Sequence, residues 1–243
     1  MIILIRLYIN IYIYQLYITI VIYKIEKTVD SKNLKIIIID TGAANVHSVH
    51  KAVIKVGITP YITKNKSDIR NSDAVILPGV GSSNAVMKSL INLDLKEEIK
   101  LYANSRKPLL CICVGMQVLF DKSDEGNTKC LGIIKGNVKK FPENMIDKNN
   151  RKMKIPHMGW NKLNIINQNH KILDNIPNNS YFYFVHSFYC IPEEKNKIIA
   201  NTDYGIEVCS IVSDDNIIGT QFHPEKSGDI GISIYKNFID MVK

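Results

Sequence analysis

The residue best placed for nucleophilic chemistry is Cys113, the last residue of the apolar run Leu109–Cys113. Gly115 follows two residues later, and a helical pattern begins at once and runs through Phe120. A strand that turns sharply into a helix projects one side chain above the sheet edge, and the helix N-terminus beneath it favours a thiolate. The pattern predicts a nucleophile elbow, and the alternative is a buried structural cysteine.

A histidine and a carboxylate lie two residues apart near the C-terminus. They are His223 and Glu225, which flank Pro224. Alternate residues of an extended segment share a face, so the pair has the spacing of a general base and the carboxylate that orients it. The proline indicates that the strand ends here, at the edge where active sites of parallel sheets lie. A surface His–Glu pair is the alternative.

A third candidate site follows the apolar run Ala74–Leu77. Pro78 is succeeded there by Gly79, Val80 and Gly81. Glycines let the backbone turn so that an N–H group points at a developing oxyanion. The alternative is an ordinary turn from strand to helix. The segment lacks the remaining spacing of a dinucleotide or Walker-type loop, so we exclude nucleotide binding.

The elements that must position these residues alternate along residues 34–243. Strands are predicted at Lys35–Ile39, Thr59–Thr63, Ala74–Leu77 and Leu109–Cys113, with a helix at Asn45–Val56. Shorter strands are predicted around Ile133, Ile155, Tyr181–Val185, Ile198 and Ile217–Gln221, before a final helix to Lys243. This alternation is typical of one doubly wound α/β domain with a mostly parallel central sheet.

Together the three sites resemble those of the class I (triad) glutamine amidotransferases, over the whole of residues 34–243. The most specific stretches are Leu77–Gly81, Cys113–Gln117, Lys154–Asn161, Tyr183–Phe188 and Gln221–Gly228. The resemblance implies that family's α/β fold, with helices flanking the central sheet, and hydrolysis of L-glutamine without a metal ion or cofactor. The segment around Trp160 resembles the branch that forms a heterodimer with a (β/α)₈-barrel cyclase in histidine biosynthesis.

The resemblance also implies a role for each matching residue. Cys113 would attack the side-chain amide of glutamine, His223 would carry protons and Glu225 would orient the histidine. The residues implied for the oxyanion hole and substrate binding are Gly79, Val80, Gly81, Val114, Gln117 and Ser187. The residues implied at the interface with the barrel are Tyr183 and Lys226.

The sequence departs from the family pattern near the nucleophile and after the first strand. Cys111 stands where the family usually has glycine, and we expect this thiol to oxidise with Cys113 or to compete with it. Residues 40–45 read Asp-Thr-Gly-Ala-Ala-Asn instead of Asp-Tyr-Gly-x-Gly-Asn, and Phe188 replaces a frequent tyrosine. We interpret His157 and His186 as satisfied core or interface histidines.

Two other functions stay open at this point. One is a paralogous amidotransferase that supplies ammonia to a sugar-modifying partner. The other is a non-catalytic subunit that only regulates a barrel partner.

Residues 1–33 differ in composition from the rest of the chain. They contain no Gly, Pro or Ala, and 17 residues from Leu7 to Tyr23 carry no charge. Alternating Ile and Tyr favours a strand over a helix. We predict a boundary between residues 33 and 34. Three interpretations of the prefix stay open: a non-native extension, a membrane anchor, and an added strand or arm.

Charge and cysteine content exclude some partners and compartments. The net charge of +8 is spread along the chain, with no basic run interleaved with aromatics, so we predict no nucleic-acid binding. Five cysteines do not form a disulfide framework. Reduced thiols favour the cytoplasm, and we expect no membrane association.

Overall fold

The computed structural model describes residues 13–18, 34–42, 45–147 and 150–242. The chain divides into two units, Met1–Leu34 and Lys35–Lys243. In the first, residues 13–18 are helical and their side chains are exposed. The strand preference predicted there is wrong over these six residues, because exposed Ile and Tyr lack the sheet packing that favours a strand. The remaining predictions for residues 1–33 lie outside the described residues. No described helix is long and apolar enough to cross a membrane.

A mixed eight-stranded sheet forms the centre of the second unit. Its strands are β1 (Ile36–Ile39), β2 (Tyr61–Thr63), β3 (Ala74–Gly79), β4 (Leu109–Cys113), β9 (Asn164–Ile165), β12 (Ile198–Asp203), β13 (Glu207–Asp214) and β14 (Ile217–Thr220). Their order is β2-β1-β3-β4-β14-β13-β12-β9. Neighbours from β2 to β14 are parallel, and the last three pairs are antiparallel. The predicted mostly parallel central sheet is confirmed.

Six helices accompany this sheet in the described part of the second unit. They are α1 (Val46–Lys55), α2 (Lys66–Arg70), α3 (Ser83–Asn92), α4 (Lys96–Ala103), α5 (Val114–Gln117) and α6 (Gly228–Asp240). The longer ones bury one apolar stripe, as Val46, Val49 and Val53 do in α1. Strands β1, β3 and β4 are buried along their whole length, which explains their continuous apolar runs.

Two smaller sheets complete the unit. Strands β8 (His157–Lys162) and β10 (Tyr181–His186) pair antiparallel. The other sheet has the order β11-β7-β5-β6 and consists of β5 (Lys122–Ser123), β6 (Thr128–Lys129), β7 (Gly136–Lys140) and β11 (Phe188–Pro192). A single residue, Ser187, separates β10 from β11, so the chain passes there from one sheet to the other.

The second half differs from the prediction in two ways. The strands predicted around Ile133 and Ile155 are absent or displaced, and one central strand was not predicted. Ile133 lies in a turn, where its N–H donates to Leu119 O at 2.8 Å. Ile155 precedes the cis-proline Pro156, and the strand begins only at His157. Strand β13 was not predicted, because it is buried on both faces and includes polar residues such as Ser210, so it lacks regular alternation.

Candidate active site

The nucleophile elbow forms where β4 meets α5. Cys113 ends the strand with φ 55° and ψ −109°, a backbone conformation that non-glycine residues adopt mainly at functional sites. Gly115 is required two residues later, since a Cβ there would lie 2.1 Å from Leu77 O. A Cβ on Gly79 would lie 2.5 Å from Gly115 N. The end of β3 therefore contacts the start of α5 directly beside the thiol.

His223 and Glu225 form a buried pair just beyond β14. The two atoms His223 Nδ1 and Glu225 Oε1 are 2.7 Å apart, and each side chain is 3% exposed. The strand ends at Thr220, and Glu225 lies in a 3₁₀ turn, Pro224–Lys226. The predicted explanation, one face of a continuous strand, is wrong, because the proline turn folds the carboxylate back onto the imidazole.

A second contact fixes the carboxylate from α6. The hydroxyl of Tyr235 donates to Glu225 Oε2 at 3.3 Å. The Ser227 hydroxyl donates to the His223 carbonyl at 2.7 Å and braces the same turn. Glu225 thus has one oxygen for the imidazole and one for the phenol, which holds it in a single orientation.

His223 is held in its charged form by its two neighbours. Burial lowers its pKa, but the charge and hydrogen bond of Cys113, together with those of Glu225, outweigh burial and raise the pKa to about 10. Nδ1 faces Glu225, which leaves Nε2 for Cys113. The raised pKa keeps the imidazole protonated at neutral pH.

A cavity of about 360 Å³ opens above the thiol. The predicted site residues that line it are Val80, Gly81, Cys113, Val114, Gln117, Ser187, His223 and Lys226. Gly79 lies beneath the elbow, and Glu225 lies behind His223. Tyr183 lies on β10, with the Lys226 ammonium 5.9 Å from its ring centroid. The structure thus brings the three predicted sites together around one cavity.

Gln117 turns its amide nitrogen into the protein. That nitrogen donates to Phe188 O at 3.0 Å and to Gln221 Oε1 at 3.2 Å. Both amide hydrogens are engaged, so the carbonyl oxygen, 3.5 Å from the Ser83 hydroxyl, is the group that Gln117 offers to a ligand.

Glu125 and Gln221 are among the residues at the site that the sequence analysis did not assign to it. Glu125 lines the cavity and accepts a hydrogen bond from the Ser83 N–H at 2.6 Å. Gln221 is fully buried, with its amide nitrogen 3.8 Å from Cys113 Sγ. Glu125 lies in a short polar stretch without a pattern. Gln221 directly precedes the Phe222–Glu225 segment, and its position there was the available signal.

Cys111 lies two residues before Cys113 in β4. It is fully buried in β4, opposite Leu77 and Gly219 of the neighbouring strands. Burial raises the pKa of its thiol far above the ordinary value. Little thiolate is then present at neutral pH, which argues against the expected competition with Cys113. All five cysteines are free.

Comparison with other proteins agrees with this fold. The model of the family "Glutamine amidotransferase class-I" matches residues 37–241. The glutaminase domain of Trypanosoma brucei CTPS shares the fold with a TM-score of 0.60 at 14% identity, covering 86% of this chain and 94% of its own. PurLQS from Thermotoga maritima has a TM-score of 0.66 at 16% identity, with 86% and 99% covered. The chain belongs to the class I glutamine amidotransferases.

Curated relatives show which family of class I amidotransferases the chain belongs to. Imidazole glycerol phosphate synthase subunit HisH of Dehalococcoides mccartyi strain 195 is 46% identical over 207 residues, which are 85% of this chain and 97% of the relative. HisH of Methanocaldococcus jannaschii is 44% identical over 206 residues, with 84% and 98% covered. Within the amidotransferases, the chain belongs to the HisH family.

Proposed function

We propose that this chain hydrolyses glutamine with Cys113, His223 and Glu225 and delivers the ammonia to a cyclase subunit of imidazole glycerol phosphate synthase. Membership of the HisH family gives the chain glutaminase activity and a place in histidine biosynthesis. The observation that supports the triad is the buried imidazole, which is 2.7 Å from Glu225 and whose pKa is raised by Cys113 and Glu225. The HisH relatives favour this function over the sugar-amidating alternative.

The proposed reaction has two halves, both at Cys113. Its sulfur adds to the amide carbon of glutamine, and the C–N bond breaks as protonated His223 gives a proton to the nitrogen. Ammonia leaves, and a γ-glutamyl thioester remains. A water molecule then adds to the thioester while neutral His223 takes its proton, and the C–S bond breaks to release glutamate.

Backbone N–H groups are proposed to stabilise the negative oxygen of each tetrahedral intermediate. Val114 follows the nucleophile, so its N–H is close to the sulfur. Val80 and Gly81 line the same cavity. Gly81 has φ +84° with open space around a virtual Cβ. Its requirement for glycine is therefore conformational, which suits a peptide that turns its N–H to an oxyanion.

The cavity offers complementary groups for the ends of a free glutamine. Glu125 provides a carboxylate for the α-ammonium group, and the carbonyl oxygen of Gln117 accepts a further hydrogen bond. Ser187 lines the same cavity and presents backbone to the substrate. We therefore propose that Glu125, Gln117 and Ser187 hold the amino-acid end while the amide reaches Cys113.

The cyclase, a (β/α)₈ barrel in this proposal, docks on the sheet formed by β8 and β10. Its exposed face carries Met158, Trp160 and Tyr181, each more than half exposed. An exposed cluster of large apolar side chains is typical of a protein interface. Tyr183 meets Trp160 edge to face, with ring centroids 6.1 Å apart, and the Lys226 ammonium lies over the Tyr183 ring. The relatives are named as subunits of a synthase, which supports a heterodimer.

We also propose that the heterodimer works in the cytoplasm. Cys111, Cys113, Cys130, Cys190 and Cys209 are all free and buried, which suits a reducing compartment.

Stimulation by the partner tests the proposal. Ammonia release from glutamine is measured with and without the cyclase subunit and its nucleotide ligand. We expect strong stimulation for the wild-type chain and weaker stimulation for Trp160→Ala and Lys226→Ala. Tyr61, exposed on β2, provides a control, and Tyr61→Ala should be stimulated normally. Equal stimulation of all variants would contradict the proposed interface, and none for the wild type would contradict the proposed partner.

A further inference from the structure

Two buried histidines outside the triad lie at the end of the β8–β10 sheet that is next to the cavity. His157 begins β8, His186 ends β10, and the two are directly opposite in the antiparallel register. They are 2% and 6% exposed. His157 Nδ1 lies 2.9 Å from His186 Nε2. The mechanism proposed above gives neither of them a task.

The hydrogen bonds fix the tautomer of both rings. His186 Nδ1 is 2.8 Å from Phe188 O, which can only accept, so Nδ1 carries the hydrogen. Burial is the main cause that lowers the pKa of both histidines, to about 4 for His186 and about 3 for His157, so both are neutral at neutral pH. A neutral imidazole has one N–H, and His186 Nε2 must therefore accept from His157 Nδ1.

We call the hydrogen-bonded chain through His157 and His186 the relay. The hydrogen bonds at its other end are equally determined. His157 Nε2 has no hydrogen left and accepts from Asn161 Nδ2 at 3.3 Å. The same amide nitrogen donates to Asp203 O at 3.0 Å. Donation therefore runs in one direction, from Asn161 through His157 and His186 to Phe188 O.

The relay ends at the proposed glutamine site. Phe188 O also accepts from Gln117 Nε2 at 3.0 Å, so both lone pairs of this carbonyl are engaged. Ser187, the residue between His186 and Phe188, lines the cavity. Its own carbonyl accepts from Phe141 N–H at 3.1 Å. The relay, together with the Phe141 hydrogen bond, thus holds the one-residue passage between the two sheets.

Ring packing keeps the relay in place. The His157 ring stacks on Phe184 and Tyr204, with centroid distances of 4.7 Å and 3.8 Å. The Tyr204 hydroxyl donates to Lys154 O at 2.7 Å. Rotation of the imidazole would break both stacks, so its nitrogens stay aligned with their partners.

We propose that His157 and His186 are positioning residues that hold the Ser187–Phe188 backbone and, through Phe188 O, the side chain of Gln117 in the geometry that binds glutamine. This inference rests on the proposed function, which makes the cavity a glutamine site. A histidine pair with a purely structural role would leave recognition of glutamine unchanged.

Matched substitutions of His186 separate the two ends of its ring. An asparagine amide reaches the position of Nδ1 and retains a donor for Phe188 O, whereas a glutamine amide reaches the position of Nε2 and retains only the contact with His157. The full chain is treated with 6-diazo-5-oxo-norleucine, a glutamine-shaped alkylating agent, or with iodoacetamide, which has no amino-acid end. Modification of Cys113 is followed by mass spectrometry.

We expect His186→Gln to slow labelling by the glutamine-shaped reagent about three- to tenfold, the effect of one lost hydrogen bond, with labelling by iodoacetamide unaltered. His186→Asn should slow labelling by the glutamine-shaped reagent less than His186→Gln does. His170, a half-buried histidine bonded to Ser213, provides the control, and His170→Gln should label like the wild type. Equal effects of His186→Gln and His186→Asn, or no effect of His186→Gln, would overturn this inference and leave the proposed function standing.

Two further outcomes complete the test. A wild-type chain that shows no preference for the glutamine-shaped reagent would overturn the proposed function and the inference with it. Nitrogen-15 NMR of the wild-type histidines needs no variant and covers the case in which His186→Gln fails to fold. We expect His157 and His186 both protonated at Nδ1, and protonation at Nε2 of either ring would overturn the relay.

Discussion

The charge on His223 depends on the two side chains that it joins. Its pKa is raised to about 10 chiefly by Cys113, against the opposing effect of burial. A histidine with a raised pKa stabilises the folded state fully below its unfolded value of about 6.5, and that contribution is lost as the pH rises toward 10. Protonated His223 therefore stabilises the folded state at neutral pH.

Replacing Cys113 by serine removes the side chain that contributes most to raising the pKa of His223. A serine hydroxyl stays neutral, so we expect the pKa of His223 to fall well below 10 in Cys113→Ser. NMR titration of the imidazole measures it. The wild-type chain should lose stability between pH 7 and pH 10, and the variant should lose less. An unchanged titration of His223 would show that Cys113 does not charge it.

Cys111 gives a second prediction at the scale of one residue. Cys111→Gly restores the residue that the family usually has, and we expect glutaminase activity to be preserved or raised. The substitution also removes a buried side chain from a strand interior and should lower stability by about 1–2 kcal/mol. Activity assays and urea unfolding measure the two effects. Loss of activity in a folded variant would mean that the Cys111 thiol itself supports the reaction.

At the scale of elements, the active site depends on close contact between β3 and α5. The carbonyl of Leu77 lies where a side chain at Gly115 would begin, and Gly79 touches the same turn. Neither contact involves a catalytic group, yet together they set the distance between the nucleophile and the proposed oxyanion loop.

Gly115→Ala tests this contact. Its Cβ would lie 2.1 Å from Leu77 O, so β3 and α5 must separate, and we expect a loss of about 1–3 kcal/mol together with most of the glutaminase activity. Gly57→Ala is a control, because Gly57 has open space and only an unfavourable φ of +88°. It should cost about 1 kcal/mol and leave activity intact. Full activity in folded Gly115→Ala would contradict the elbow geometry.

The sequence predicted the first half of the sheet and the positions of the three proposed catalytic residues at strand ends, for a physical reason. Strands buried on both faces appear as continuous apolar runs, and the elbow and the proline after His223 mark strand ends. The second half was harder, since β13 mixes buried polar and apolar residues. Glu125 and Gln221 reach the site through tertiary folding, which short-range spacing does not encode. The His157–His186 pair likewise needed the β8–β10 register to become visible.

At the scale of the whole molecule, the family match covers the amidotransferase unit and leaves residues 1–33 to be tested separately. The family matches residues 37–241, within the unit Lys35–Lys243. The boundary after residue 33 stays a prediction. N-terminal sequencing of the native protein tests it. A native chain starting near Leu34 would support a non-native extension, and one starting at Met1 would contradict it.

The proposed interface and the proposed active site share segments of this unit. Strand β10 carries Tyr183 and ends at His186, and Lys226 directly follows the triad residue Glu225. A partner seated on β8 and β10 would therefore contact the same turns that hold the glutamine cavity. This proximity gives docking a direct physical means of changing glutaminase activity.

The central claim is that Cys113 is the nucleophile of a partner-stimulated glutaminase. Its most direct test is glutamine hydrolysis by the wild-type chain and by Cys113→Ala, each with the cyclase subunit and its nucleotide ligand. Both chains should bind the cyclase equally. We predict strong ammonia release for the wild type and none above background for Cys113→Ala. Continued turnover by Cys113→Ala in the assembled complex would contradict the account.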